Sequence, residues 1–408
     1  MAAADDRWLL PEGIEEVLPP QATKLEGLRR RLLDLYAVWG YQLVVPPFVE
    51  FLESLLTGTA NDLDLQTFKV TDQLSGRLMG IRADMTPQVA RIEAHHHARE
   101  EPTRLCYAGT ILHTRSDGFA GSRCPMQVGC ELYGHSGFES DLEVLGLMLE
   151  SVVVAGIDNL HLDLGHVGIF RGLARRAGLE ADQENELFGA LQRKASAEIG
   201  RLIGSWHIQE RDAERLIRLA DLHGGEEVLS AAGRLFAGDP DTEQHLERLH
   251  QVSAGAQRRF GKLHLHFDLA ELRGYGYHTG LVFSAYTPGS GKAVARGGRY
   301  DDVGSVFGRS RPATGFSADL KTLLALGSVP EAGDNGPVFA PRSDDPALEA
   351  LVRALRGNGE QVIGELPGQS GGARELGCTR WLVEREDGWT VEPVPDAAAN
   401  SYRGGHGE

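Results

Sequence analysis

RLCYAGTILHTRSDGFAGSRCPMQVGCELYG, residues 104–134, is the stretch from which the rest of the chain is read. Residues 104–112 and 126–134 are apolar enough to be strands, and between them lies Ser116–Pro125, a loop containing Gly and Ser. A long antiparallel hairpin is the simplest structure for that pattern. Upstream, residues 21–39 space Leu25, Leu28, Leu32, Leu35 and Tyr36 by threes and fours, an amphipathic helix stopped by Gly40. Tyr41–Val45 reads as a short strand ended by Pro46-Pro47. Residues 66–71 and 77–82 read as a hairpin around the polar turn Asp72–Gly76, and Pro87 starts a helix that runs through His95, His96 and His97.

Downstream, residues 139–155 predict a helix and His161–Leu164 a strand. Residues 166–256 hold five or six helical patterns and no convincing strand, with Leu187, Leu191, Ile217, Leu229 and Leu235 as the expected core positions. Strands return at Leu263–Leu269, Leu281–Tyr286 and Lys292–Ala295, and Pro312–Leu326 reads as a strand running into a helix. Glu331–Pro337 is a Gly/Asp-rich linker. Beyond it Val338–Ala340, Pro346–Asn358, Gln361–Gly364 and Trp381–Glu384 alternate strand, helix, strand and strand, a small α/β unit. The last dozen residues read as disordered.

The chain has 408 residues, enough for two or three domains. It carries 41 basic and 58 acidic residues, a net charge of −17, which opposes polyanion binding and leads us to expect no nucleic-acid partner. No apolar run is long enough for a membrane helix, so no membrane partner is expected. The start, MAAADDRWLL, has acids where a secretory signal carries basic residues, and a cytoplasmic location is expected. The four cysteines form no C-x-x-C pair, against a disulfide framework or thiolate zinc site.

Three motifs fail on inspection. Gly289-Ser-Gly-Lys292 lacks the first Gly of a phosphate loop, where Tyr286 stands, and has Ala293 in place of the Mg²⁺-binding hydroxyl residue; a hairpin turn is the better reading. Three consecutive histidines fan about 200° around a helix and share no metal face, so no metal is expected. Gly274-Tyr-Gly-Tyr277 does not complete G-x-G-x-x-G and precedes a strand.

Several segments together resemble one family. Gly40-Tyr41 with Pro47 and Glu50 is similar to the dimer-interface motif of class II aminoacyl-tRNA synthetases. Ile81-Arg-Ala-Asp-Met-Thr-Pro87 resembles the L-R-P-E-x-T segment of histidyl-tRNA synthetases. Arg104–Gly109 and Gln127–Gly134 resemble the two strands of the second class motif, and Arg273-Gly-Tyr-Gly-Tyr-His278 the histidine-recognition segment. Gly297-Gly-Arg-Tyr-Asp301 and Gly315-Phe316 resemble the approach to the third class motif. The order holds from about residue 8 to residue 326.

The resemblance implies an α+β fold: a class II synthetase-like antiparallel sheet with flanking helices. It divides the chain into a synthetase-like domain over 1–330, with 166–256 as a helical insertion, and a small α/β domain over 338–395. It also implies a histidine pocket. Carried over by position, Asp84 and Thr86 meet the α-amino group, Gln127 and Glu131 reach the amino group and imidazole, and Arg273 takes the carboxylate. Tyr277 and His278 lie at the ring; His278 stands where the synthetases carry Tyr. Carboxylates and an amide suit an ammonium, Arg a carboxylate, and Glu and Tyr ring nitrogens.

The departures point away from catalysis. The second class motif supplies F-R-x-E, whose Arg clamps the α-phosphate of ATP; here Leu112-His113-Thr114-Arg115 stands there. The third motif ends in an Arg over the adenine and γ-phosphate, and Thr322 occupies that position. Fixed cations are main stabilisers of such a transition state, so losing both removes several kcal/mol on each count. The tail from 331 has 14 acids and 7 basic residues, a poor surface for RNA. A histidine pocket without ATP clamps resembles the regulatory-subunit family of ATP phosphoribosyltransferase, and Asp268–Gly280 is similar to that family's own recognition segment. That resemblance implies a non-catalytic subunit that activates a short-form catalytic phosphoribosyltransferase in the first step of histidine biosynthesis. It further implies a hetero-octamer, a self-dimer, L-histidine as feedback effector, no cofactor and no catalytic residue. An active histidyl-tRNA synthetase and a stand-alone histidine sensor are the alternatives.

Overall fold

The structure, a computed structural model, describes residues 9–57, 61–96, 100–116, 121–261, 263–272, 274–328 and 336–395. It separates into two compact units, Met1–Val329 and Pro330–Glu408.

In chain order the first unit has strands β1 Gln42–Leu43, β2 Val49–Phe51, β3 Phe68–Thr71, β4 Leu78–Ile81, β5 Thr103–Thr110, β6 Met126–Tyr133, β7 His161–His166, β8 His223–Gly224, β9 His264–Asp268, β10 Leu281–Tyr286, β11 Ala295–Arg299 and β12 Ala313–Asp319. Nine of them form one sheet in the order β1-β5-β6-β12-β11-β10-β7-β9-β8, and β2-β4-β3 form a small second sheet. Neighbours in the large sheet are antiparallel except β1 with β5 and β7 with β9. β5 and β6 pair over their full length, Thr103 opposite Tyr133 and Thr110 opposite Met126, as the deciding stretch predicts.

Strand alternation sorts the side chains of this sheet into two faces. One face buries Cys106, Cys130, Leu132 and Phe316 against the helices Gln21–Val38 and Phe138–Val154. The first helix contributes Leu25, Leu28, Leu32 and Tyr36, the spacing read from the sequence. Each such fully buried apolar side chain contributes roughly 1.5–3 kcal/mol, so this face anchors the sheet. The opposite face carries Leu105, Tyr107, Tyr133 and Tyr300, packed with Met85 and Val89. That second face is where polar residues gather.

Residues 166–256 form six helices, Val167–Ala177, Ala181–Gln192, Ser196–Ser205, Glu210–Leu219, Glu227–Leu235 and Pro240–Phe260. Leu187 and Leu191 are fully buried; Leu229 and Leu235 pack partly buried against the core. Ile217 is 38% exposed, contrary to its expected core role, because Leu216 and Leu219 already supply the buried face of its helix. The segment also contains β8, a two-residue strand paired with β9 that no periodicity could reveal. The expected strand Tyr41–Val45 shrinks to β1, stopped by the following prolines.

The expected strand Lys292–Ala295 is displaced to β11. Gly297 and Gly298 depress the strand signal there. Both are required: a Cβ on Gly297 would lie 2.4 Å from Gly315 O, and one on Gly298 would lie 2.7 Å from Leu281 O. Gly289–Lys292 lies in the β10–β11 hairpin connection, as expected. No helix among the described residues is long and apolar enough to cross a membrane.

The second unit has β13 Val338–Ala340, the helix Pro346–Gly357, β14 Val362–Gly364, β15 Arg380–Arg385 and β16 Gly388–Pro393, in the sheet order β14-β13-β15-β16. β13 is parallel to both neighbours. The sequence reading missed β16, which follows β15 through a tight hairpin at Gly388, φ +111°. The linker Glu331–Pro337 lies outside the described residues up to position 335, and the tail beyond 395 does so entirely.

Candidate functional site

The polar face of the large sheet holds two neighbouring cavities. The smaller, about 160 Å³, is lined by Asp84, Thr86, Glu131, Tyr277, His278 and Tyr300, among others. Drug-sized pockets run to roughly 300–1,000 Å³, so this one suits a single small metabolite. The larger, about 570 Å³, is lined by His113, Gln127, Asp319 and Thr322 among others. Arg296 and Ser317 line both.

Register explains how distant segments meet. On β6, Gln127 and Glu131 share one face, and Glu131 sits opposite Leu105 on β5 and Gly315 on β12. A Cβ on Gly315 would lie 1.5 Å from Glu131 Oε2, so the carboxyl group occupies the space a side chain would fill. One on Gly129 would lie 2.5 Å from the Tyr107 hydroxyl oxygen. Glycine on the central strands clears the floor of the cavity.

Glu131 is 1% exposed and is gripped by two phenols. Tyr107 Oη donates to its Oε1 at 3.0 Å and Tyr300 Oη donates to its Oε2. Thr86 Oγ1 lies 3.1 Å from the same Tyr107 oxygen. Burial pushes the Glu131 carboxyl up to about 8, against the opposing pull of the two phenols, so its proton is held through neutral pH. Burial likewise raises Tyr107 and Tyr300 well above the usual phenol range and lowers His278 to about 4, leaving that imidazole neutral.

Asp84 and Gln127 form the other wall. Gln127 Nε2 donates to Asp84 Oδ1 at 2.7 Å, and Gln127 Oε1 accepts from the Met85 amide at 2.9 Å. The Thr86 amide donates to Asp84 Oδ1 at 3.0 Å. The other Asp84 oxygen accepts nothing among the described residues. Tyr277 stacks on Tyr300 with centroids 4.9 Å apart. The Tyr277 hydroxyl and His278 Nδ1 are buried with no hydrogen-bond partner among the described residues. Orphaned polar atoms beside a cavity are what a polar ligand would satisfy.

Six of the seven expected site residues therefore converge: Asp84, Thr86, Glu131, Tyr277 and His278 line the small cavity, and Gln127 buttresses Asp84 from the larger one. The seventh, Arg273, lies outside the described residues. Sequence reading missed Tyr107, Tyr300 and Arg296. Tyr107 and Tyr300 stand inside segments that were recognised, but only strand pairing reveals that they meet Glu131.

The larger cavity is built differently. His113 Nε2 lies 2.9 Å from the Ala83 carbonyl oxygen, and Thr322 Oγ1 donates to Asp319 Oδ2 at 2.7 Å. Both side chains are tied to the protein wall. Asp319 is itself filled, accepting also from the Met126, Lys321 and Thr322 amides.

The sequence profile of the histidyl-tRNA synthetase family matches residues 13–323, and that of the ATP phosphoribosyltransferase subunit HisZ C-terminal domain matches residues 335–392. An ATP phosphoribosyltransferase regulatory subunit from Thioalkalivibrio sulfidiphilus is 58% identical, over 95% of this chain and 98% of its own length. Its counterpart from Alkalilimnicola ehrlichii is 56% identical over 96% and 98%. Among solved structures, an ATP phosphoribosyltransferase regulatory subunit/histidyl-tRNA synthetase from Bacillus halodurans superposes with TM-score 0.79 at 26% identity, over 91% of this chain and 96% of that one. Histidyl-tRNA synthetase from Nostoc superposes at 0.75 with 18% identity, over 93% and 92%, a likeness of fold. The fold is that of the class II synthetases.

Proposed function

The chain belongs to the family of ATP phosphoribosyltransferase regulatory subunits, and we propose that it senses free L-histidine and passes that signal to a partner catalytic subunit. Its role is regulatory and non-catalytic, in the first step of histidine biosynthesis.

The observation that carries the histidine reading is the small cavity. It offers an acid, Asp84, with an oxygen to spare for an ammonium, and a buried Glu131 for a ring nitrogen. The orphaned Tyr277 hydroxyl and His278 Nδ1 are further partners for a ligand rich in nitrogen and oxygen. We assign Asp84, Thr86, Gln127, Glu131, Arg273, Tyr277 and His278 to the effector. No catalytic residue is assigned. His113 and Thr322, at the positions of the two ATP-clamping arginines, supply no fixed cation, and both bond inward.

We assign effector binding to the synthetase-like domain, 1–330 with its helical insertion, and leave the α/β domain, 338–395, outside the effector site. The partner is a short-form catalytic subunit, assembled with this chain in a hetero-octamer in the cytoplasm. Feedback is then a coupling free energy: histidine binds one state of the complex better than the other. Co-purification of the two chains with and without histidine tests this. Failure to associate in either condition would favour the stand-alone sensor.

A self-dimer forms the core of this assembly. Leu43 is 52% exposed and Val45 82%, beside exposed Phe48 and Val49, an apolar strip along the motif implicated in pairing. The backbone behind the strip is held firmly: Gln88 Nε2 donates to Pro47 O at 2.8 Å, and Arg91 and Gln88 both donate to Glu50 Oε1. A monodisperse monomer in sedimentation at micromolar concentration would contradict the dimer.

A further inference from the structure

We infer that Arg296 is the specificity residue for the carboxylate of the amino acid in the small cavity, an assignment that rests on the effector reading above. Arg296 is the second residue of β11, opposite Ser317 on β12 and Ser284 on β10. It is the one arginine or lysine among the described residues lining the small cavity, and it also lines the larger one, so it marks the opening between them. It makes no ion pair or side-chain hydrogen bond among the described residues, although the chain carries 58 acids. Nearby guanidinium groups are saturated by contrast: Arg299, three residues on, is held by Asp141, Asp301 and Ser140. A structural arginine in this sheet is paired; Arg296 is left open.

Its position matches the length of an amino acid. Ser317 lies opposite both Arg296 on β11 and Gly129 on β6, and Glu131 is two residues along β6 from Gly129, on the same face. With strands about 4.8 Å apart and about 3.3 Å per residue, the Arg296 and Glu131 backbones stand roughly 12 Å apart. Both side chains rise from the same face of the sheet, so their ends are separated by a gap of that order, which one amino acid spans, ring toward Glu131 and carboxylate toward Arg296. The charges agree: Asp84 meets the ammonium, and Arg296 joins Arg273 at the carboxylate, whereas a ligand lacking the carboxylate would leave the Arg296 guanidinium unmatched. Arg296 thus distinguishes histidine from its uncharged-end analogues such as the corresponding amino alcohol.

The test is calorimetry on the full-length chain with two ligands, L-histidine and L-histidinol, in which a hydroxymethyl group replaces the carboxylate. The unmodified chain is expected to bind histidine at least tenfold more tightly. Arg296→Gln should weaken histidine about ten- to a hundred-fold and leave histidinol unchanged, with part of the loss recovered in Arg296→Lys. Equal weakening of both ligands, or of neither, overturns the assignment while leaving the effector reading intact. Loss of discrimination in Arg273→Gln but not in Arg296→Gln also overturns it. If the unmodified chain binds neither ligand, the effector reading has failed and the assignment falls with it.

Discussion

The two cavities share one sheet face and two lining residues, yet they have opposite chemistry. In the small one, polar groups converge on the space: the Asp84 oxygen left over, the Tyr277 hydroxyl, the His278 ring nitrogen. In the large one, the side chains at the two positions where the synthetases carry arginine turn to the wall, His113 to a carbonyl and Thr322 to its own helix cap. An acid held protonated by burial is costly to keep, and Glu131 is kept. The contrast teaches that recognition and catalysis on one scaffold can be separated by few residues. On the proposed reading, two cations that stabilise a transition state go while the pocket that selects the amino acid stays.

The largest expected consequence is all-or-none. With no fixed cation from His113 or Thr322, the chain should support no histidine-dependent exchange of pyrophosphate into ATP. The measurement is isotope exchange with contaminating synthetase excluded, and a measurable rate would erase the contrast between the cavities. Next comes the pocket itself. Glu131→Ala/Arg273→Ala removes two charge-assisted contacts, each about 1.5–3 kcal/mol, and should weaken histidine by a hundred-fold or more. Calorimetry on the double variant decides this. An unchanged affinity would mean that the small cavity keeps a histidine shape without its use.

Proton linkage sharpens the comparison further. A free imidazole titrates near 6.5, and the empty Glu131 at about 8. If the two share one proton in the complex, binding between those values needs no proton exchange. Above about 8 the carboxyl has lost its proton and binding must take one up, so affinity falls up to tenfold per pH unit. Below about 6.5 both groups are protonated and one proton must leave, so affinity falls again. The expected profile is a plateau with two shoulders, read from calorimetry across pH 5.5–9.5. A flat alkaline limb would place the ring away from Glu131.

The fold was largely legible because its signals are local and repetitive: the leucine spacing of 21–38, the 104–134 hairpin, the strand-to-helix run at 313–326. The expected site residues, Gln127 and Glu131 among them, came from the resemblance of short motifs, carried over by position. The site was opaque wherever glycine stands in for a missing side chain. Gly297 and Gly298 hid the true position of β11, and Gly315 gave no hint that it makes room for Glu131. Arg296 was invisible for another reason: an arginine on a strand means nothing until the cavity it borders is known.

The smallest expected effect is on stability, and it isolates the cost of the functional carboxyl. Glu131 has an ordinary carboxyl value of 4.5 when exposed and about 8 in the fold, with burial the leading cause. A value raised by folding means that the native state binds the proton more tightly. The contribution to stability is therefore complete below about 4.5 and is lost as pH rises through about 8. At about 1.4 kcal/mol per unit the upper limit of that loss is roughly 5 kcal/mol, before relaxation reduces it. Glu131→Gln keeps an oxygen for one of the two phenols, presents an amide NH2 to the other and removes the charge. The variant should melt close to the unmodified chain at pH 5 and several degrees above it at pH 8.5–9, while binding histidine more weakly. Comparing the two proteins at each pH cancels every other titrating group, so the difference belongs to this position. A melting difference that does not change with pH would mean that the Glu131 carboxyl is not held protonated by its burial. The plateau in histidine affinity would then have to end near 6.5 instead of about 8, because both observations read the same proton.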